Sequence, residues 1–136
     1  MTPQEAYTKA WSAGKRSGKR LPKLEGIIAT DGYCAFLYAT KVIKGRFEKG
    51  EQVIACYSFA RCRNNNNLSF WYMSDIFDCK PPLDYAVKSS YGLYIYAKNV
   101  IKGKLPTELH NRMLCFAIVE PNARHIKTYF KSKKYQ

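Results

Sequence analysis

Tyr38-Ala39-Thr40-Lys41-Val42-Ile43-Lys44-Gly45-Arg46 returns 58 residues later as Tyr96-Ala97-Lys98-Asn99-Val100-Ile101-Lys102-Gly103-Lys104, with six of nine positions identical. An internal repeat constrains the fold more tightly than any single element, because each copy must bury the same face against its neighbour. Two weaker copies follow the same outline, one at Tyr72-Met73-Ser74-Asp75-Ile76-Phe77 and one at Tyr129-Phe130. Seven residues before the four tyrosines stand Asp31, Asn65, Ser89 and Asn122. A short polar side chain there can accept the free N–H groups of a first helical turn, so each predicts a helix start. Ala35, Tyr38, Ala39, Val42 and Ile43 then follow helical spacing in one copy, as Leu93, Tyr96, Ala97, Val100 and Ile101 do in the other. Gly45 and Gly103 are expected to close these helices in the left-handed conformation, and Gly92, inside a helix, is expected to tolerate alanine.

Outward from the repeat, Glu51-Gln52-Val53-Ile54-Ala55 matches Glu25-Gly26-Ile27-Ile28-Ala29 and supplies a short partner helix. Thr2-Pro3-Gln4-Glu5 has the cap, proline and glutamate of a helix start, followed by Tyr7, Ala10 and Trp11 on one face. The tyrosines are 34, 24 and 33 residues apart, so the longer intervals hold insertions, the clearest being Arg61-Cys62-Arg63-Asn64-Asn65-Asn66-Asn67. The expected fold is mainly α, a short irregular stack of helical-hairpin repeats. An α+β fold is the alternative, since Leu114-Cys115-Phe116-Ala117-Ile118-Val119 and Leu93-Tyr94-Ile95-Tyr96 are rich in β-formers. With 136 residues the chain is expected to form a single domain. Residues 1–23 make a basic capping helix and turn, 24–121 the degenerate repeats and 122–136 a basic C-terminal helix.

The series Glu-x-x-Ile-Ala, Asp, Tyr-Ala-x-x-Val-Ile-Lys-Gly-Arg-Phe and Glu, running from Glu25 to Glu51, resembles the tandem repeats of about 24 residues found in tailed-phage proteins of unassigned function. The unit ending Lys102-Gly103-Lys104-Leu105-Pro106 matches its second half, while the middle and last copies lack the Gly-Arg-Phe turn. The resemblance implies a phage origin and a helical stack, and it carries no catalytic or ligand-binding residues.

The formal charge is +13, and it lies at the ends. Residues 1–23 hold six basic residues against one acid, residues 124–136 hold five against none, and the stretch between holds twelve against nine. Such poles attract polyanions without reading their sequence. The candidate phosphate contacts are Lys15, Arg16, Lys19, Arg20, Arg46, Lys104, Arg124, Lys127, Lys131, Lys133 and Lys134. Tyr33, Tyr57, Tyr91, Tyr94 and Tyr135 fall off the repeat's apolar stripe or beside basic residues, so they are the candidates for stacking on unpaired bases, whereas Tyr38, Tyr72, Tyr96 and Tyr129 belong to the core. Lys44, Arg46, Lys102 and Lys104 can equally well neutralise helix ends.

No enzyme motif is present, and the chain is expected to be non-enzymatic and to use no cofactor or metal. A nuclease built from His125, Lys127, Tyr129 and Glu120, and a metal site built from Cys56, Cys62, His110 and Cys115, are the weaker alternatives. Five cysteines without a C-x-x-C pair fit a reducing cytoplasm, and neither a signal peptide nor an apolar run of the roughly 18 residues that span a bilayer is visible. The expected function is that of a phage-type interaction module whose basic poles bind nucleic acid, RNA or a ribonucleoprotein rather than duplex DNA. The alternative is a protein that occludes an acidic host protein complex, such as a defence system.

Overall fold

The computed structural model describes residues 1–17, 20–60 and 68–136, and side chains within these except 14–17 and 57–60. The described chain is mainly helical: α1 (Pro3–Ser17), α2 (Pro22–Ile28), α3 (Gly32–Leu37), α4 (Glu51–Ala60), α5 (Leu68–Phe77), α6 (Leu83–Ala86), α7 (Ser90–Ile95), α8 (Thr107–Val119) and α9 (Arg124–Lys131). The β-rich stretches of the sequence are helical: Leu93, Tyr94 and Ile95 lie in α7, which buries Leu93 and Ile95, and residues 114–119 lie in α8. Among the described residues no helix is long and apolar enough to cross a membrane. The chain divides into two compact units, 1–76 and 77–136.

In the first unit, Thr2 Oγ1 accepts the Glu5 N–H at 3.1 Å and starts α1. The buried face of α1 is Ala6 and Ala10, with Trp11 at its edge and 37% exposed. Asp31 accepts the Cys34 N–H at 2.9 Å, so the predicted cap forms and α3 begins at the next residue. Helix α3 runs on into a π-helical segment, Tyr38–Ile43, which buries Tyr38, Ala39 and Val42. Phe47 packs edge-on against Tyr38, with ring centroids 4.9 Å apart. Asn65 and its predicted cap lie outside the described residues.

The second unit repeats the arrangement. Ser89 caps α7 by accepting the Gly92 N–H at 3.0 Å, and α7 continues as the π-helical segment Tyr96–Ile101. Its core is Ala86, Leu93, Ala97, Leu105, Met113, Ile126, Tyr129 and Tyr135. Two stripe residues depart from expectation: Val100 is 40% and Ile101 36% exposed. Their counterparts in the first unit, Val42 and Ile43, are buried and partly buried, so the π-helical geometry common to both segments does not set this exposure. Asn122 does not cap α9; the helix starts two residues later, after Ala123, with no side-chain cap.

Both π segments end on a lysine rather than a glycine in the left-handed region, Lys44 at φ 51° and Lys102 at φ 60°. Gly45 and Gly103 follow, and their N–H groups reach back to Ala39 and Ala97 at 3.1 Å each. The glycines therefore do not take the predicted conformation. The wider turn brings the chain reversal forward by one residue. The close approach belongs to Gly92 instead, where an added Cβ would stand 2.7 Å from the Ala86 carbonyl oxygen.

A recurring tyrosine pin joins neighbouring helices. Arg20 forms a two-pronged ion pair with Glu25, at 2.9 and 3.0 Å, and Tyr38 donates its hydroxyl proton to Glu25 at 2.6 Å while accepting the Leu21 N–H at 3.0 Å. Arg46, Glu51, Tyr72 and the Phe47 N–H repeat the set at 2.8, 2.9, 2.5 and 3.0 Å. In the second unit Lys80-Pro81-Pro82 takes the place of Arg20-Leu21-Pro22, with the buried Tyr85 five residues after the cation where Glu25 stands in the first set. Pro81 has no N–H to offer, and Tyr96 is only partly buried. In the last set Tyr129 accepts the Leu105 N–H at 3.1 Å, and the glutamate's place is taken by His110, whose Nδ1 lies 2.8 Å from the tyrosine oxygen.

Candidate nucleic-acid interface

Helix α9 is amphipathic by sequence. Arg124, Lys127, Thr128 and Lys131 recur at the three- and four-residue spacing of one face, with Ile126 and Tyr129 on the other. In the structure Ile126 and Tyr129 are buried and the four polar residues are exposed. Arg124, Lys127, Thr128, Lys131 and Ser132 line an open surface recess of about 440 Å³. The helical rise places the outer cations about 10 Å apart along the axis. Thr128 donates its hydroxyl proton to the Arg124 carbonyl at 2.9 Å, and Ser132 accepts the Lys134 N–H at 3.3 Å, which fixes where the chain leaves the helix. Lys133 and Lys134 continue the exposed basic surface, with the Lys134 ammonium 5.6 Å from the centre of the Tyr135 ring.

The other predicted cations divide into three groups. Arg20 and Arg46 are engaged by Glu25 and Glu51 in the pins. The Arg20 guanidinium, by hydrogen bonding, holds the Glu25 carboxyl below the usual carboxylate range against the opposing effect of burial. Lys104 is exposed near His110 and helps to lower that imidazole's pKa, after burial itself. Lys15, Arg16 and Lys19 lie outside the described side chains, as does Tyr57.

The stacking candidates are corrected by their packing. Tyr33 is 49% exposed and stays a candidate. Tyr135 is buried, stacked on Tyr129 with centroids 5.4 Å apart. Tyr94 touches the rings of Tyr91, His125 and Tyr135, and burial pushes the Tyr91 hydroxyl up to about 12. These rings fill the space between α7, α9 and the C-terminal turn, a contact that the periodicity of one helix cannot reveal. Of the core tyrosines, Tyr38, Tyr72 and Tyr129 are fully buried and Tyr96 only partly.

The residues named for the nuclease alternative have other partners or lie apart on the surface. His125 is turned toward Ser90, with Nε2 to Oγ at 2.7 Å, Tyr129 points to His110 and the Leu105 amide, and Lys127 lies on the exposed face. Among the described residues no three His, Cys, Asp or Glu side chains gather as metal ligands, and Cys62 of the metal alternative lies outside them. Two features escaped the sequence reading. Thr128 and Ser132 line the basic recess, and their positions four and eight residues after Arg124 are the signal that points to it. Helix α8 carries an exposed apolar end, with Leu114 45%, Ile118 81% and Val119 78% exposed. Comparison with protein-family models, with curated proteins and with solved structures finds no match to this chain.

Proposed function

We propose that the chain is a non-enzymatic interaction module of phage type that binds the phosphate backbone of nucleic acid through the outer face of α9. The observation that carries this reading is the shared exposed face of Arg124, Lys127 and Lys131 around one recess, in a segment, 124–136, that has no acidic residue. A row of cations on a rigid helix neutralises successive phosphates and releases their counterions, which gives affinity without base recognition. With Tyr135 buried and Tyr91 and Tyr94 partly buried, Tyr33 is the one exposed stacking candidate among the described side chains, and binding is expected to depend on backbone charge more than on strandedness. On this reading the protein works in the cytoplasm of an infected bacterial host, where RNA and ribonucleoproteins are the abundant polyanions. Labelled mixed-sequence RNA and duplex DNA, titrated against wild type and the triple variant Arg124→Gln, Lys127→Gln, Lys131→Gln, test it. The variant should bind both at least tenfold more weakly with its thermal melt unchanged.

The exposed Leu114, Ile118 and Val119 of α8 favour a second reading, a protein-binding module that occludes a host complex. Exposed aliphatic side chains gathered at one helix end are unusual on a free surface and common at docking sites. Nuclease-treated affinity purification with wild type and Ile118→Asp separates the readings. A stoichiometric protein lost only in the variant would favour this second one.

A further inference from the structure

The chain has two histidines, and both fasten α9. His125, in the first turn of α9, pairs with Ser90 of α7 at 2.7 Å. His110 of α8 pairs through Nδ1 with the Tyr129 hydroxyl of α9 at 2.8 Å. We propose that α9 is an acid-released helix: neutral His110 and His125 hold it against α8 and α7, and protonation of both frees it while the first unit stays closed.

The hydrogen-bond directions supply the reason. The Tyr129 oxygen accepts the Leu105 N–H, and with Nδ1 of His110 unprotonated the tyrosine gives its own proton to that nitrogen. Protonated His110 would present a second donor to the same oxygen, and the tyrosine proton would lose its acceptor. The groups against His110 are Lys104, Tyr129 and Phe130. Those against His125 are Ser90, Tyr91 and Tyr94, and its chain neighbours on α9 include Arg124 and Lys127. Burial holds both imidazoles below their ordinary range, that of His125 at about 4. The pins of the first unit use a glutamate in the same place. The Arg20 guanidinium holds the Glu25 carboxyl below the usual carboxylate range, so that pin outlasts the histidine ones.

Hydrogen exchange on the intact chain tests this, independently of what α9 binds. Between pH 7 and pH 4.5, after correction for intrinsic exchange, α9 amides should lose tenfold or more in protection while α3 amides change less than twofold. The variant His110→Gln, His125→Gln, whose amides pair without titrating, should abolish that difference. Equal loss in α3 and α9, no loss in α9, or an unaltered pH response in the double variant would each overturn the proposal. If the double variant does not fold, the imidazole carbon resonances of the wild type decide. Titration of both rings below the ordinary imidazole range, with α9 amide shifts moving in step, supports release. Ordinary titration with a motionless α9 refutes it.

Discussion

The Tyr72 hydroxyl lies 2.5 Å from Oε2 of Glu51 and accepts the Phe47 N–H at 3.0 Å, so one oxygen ties α5 to the start of α4 and to the turn that precedes it. Arg46 completes the set with two hydrogen bonds to the buried carboxylate, at 2.8 and 2.9 Å. Each polar group in this buried cluster has a partner, which is the condition under which a buried charge is tolerated.

Tyr72→Phe removes the hydroxyl and leaves the Phe47 amide and one carboxylate lone pair unsatisfied, which should cost about 2 kcal/mol. Tyr96→Phe, at the corresponding place in the second unit, should cost under about 0.5 kcal/mol, because Pro81 offers no amide there. Urea unfolding of the two variants checks the contrast. Equal losses would show that the pin is not the source of the stability.

Arg46→Met strips the buried Glu51 of its counter-charge, and the expected loss is about 3 kcal/mol or more at pH 7. The double variant Arg46→Met, Glu51→Gln should recover most of it, since a neutral amide can still accept the tyrosine proton. Failure of the second substitution to rescue stability would place the role of Arg46 in packing instead.

Gly92→Ala should destabilise by about 1–3 kcal/mol, because its Cβ would meet the Ala86 carbonyl oxygen at 2.7 Å and that oxygen belongs to a rigid backbone. Gly45→Ala, with its nearest neighbour at 3.8 Å, should change stability within about 0.5 kcal/mol. Thermal melts of the pair report the ranking, which is the reverse of what helix propensity and end-capping predict from sequence.

That reversal marks where the sequence stops being informative. Asp31 and Ser89 announce their helices because capping is local, and the alternation of Ala35, Tyr38 and Ala39 announces a buried face because the period is local too. The π-helical widening after Tyr38 and Tyr96 is not visible in those residues, and it moves the left-handed position from glycine to Lys44 and Lys102. Arg20 and Arg46 count as surface charge in a tally, yet each precedes a glutamate by five residues, a spacing that signals their pairing. Tyr135 is buried, and Tyr91 and Tyr94 partly covered, by His125 and by one another across α7, α9 and the C-terminal turn, so no pattern within one helix discloses their fate.

Acid should weaken the second unit through His125. Its folded pKa, about 4, lies below the ordinary 6.5, so the unfolded chain binds the proton first and stability falls as pH drops from 6.5 toward 4. The full effect is about 3 kcal/mol. His125→Gln should remove that part of the pH dependence in urea unfolding between pH 7 and pH 4.5. A slope unchanged in the variant would assign the acid sensitivity elsewhere.

The salt dependence of nucleic-acid affinity tests the central reading most directly. If Arg124, Lys127 and Lys131 each neutralise one phosphate, replacing all three by glutamine should reduce the magnitude of the slope of log K against log salt by about 2 for single-stranded RNA and by nearly 3 for duplex DNA. Affinities measured at several salt concentrations between about 50 and 200 mM, for wild type and triple variant, give the two slopes. Parallel lines for the two proteins would contradict the assignment of α9 as the phosphate-binding face.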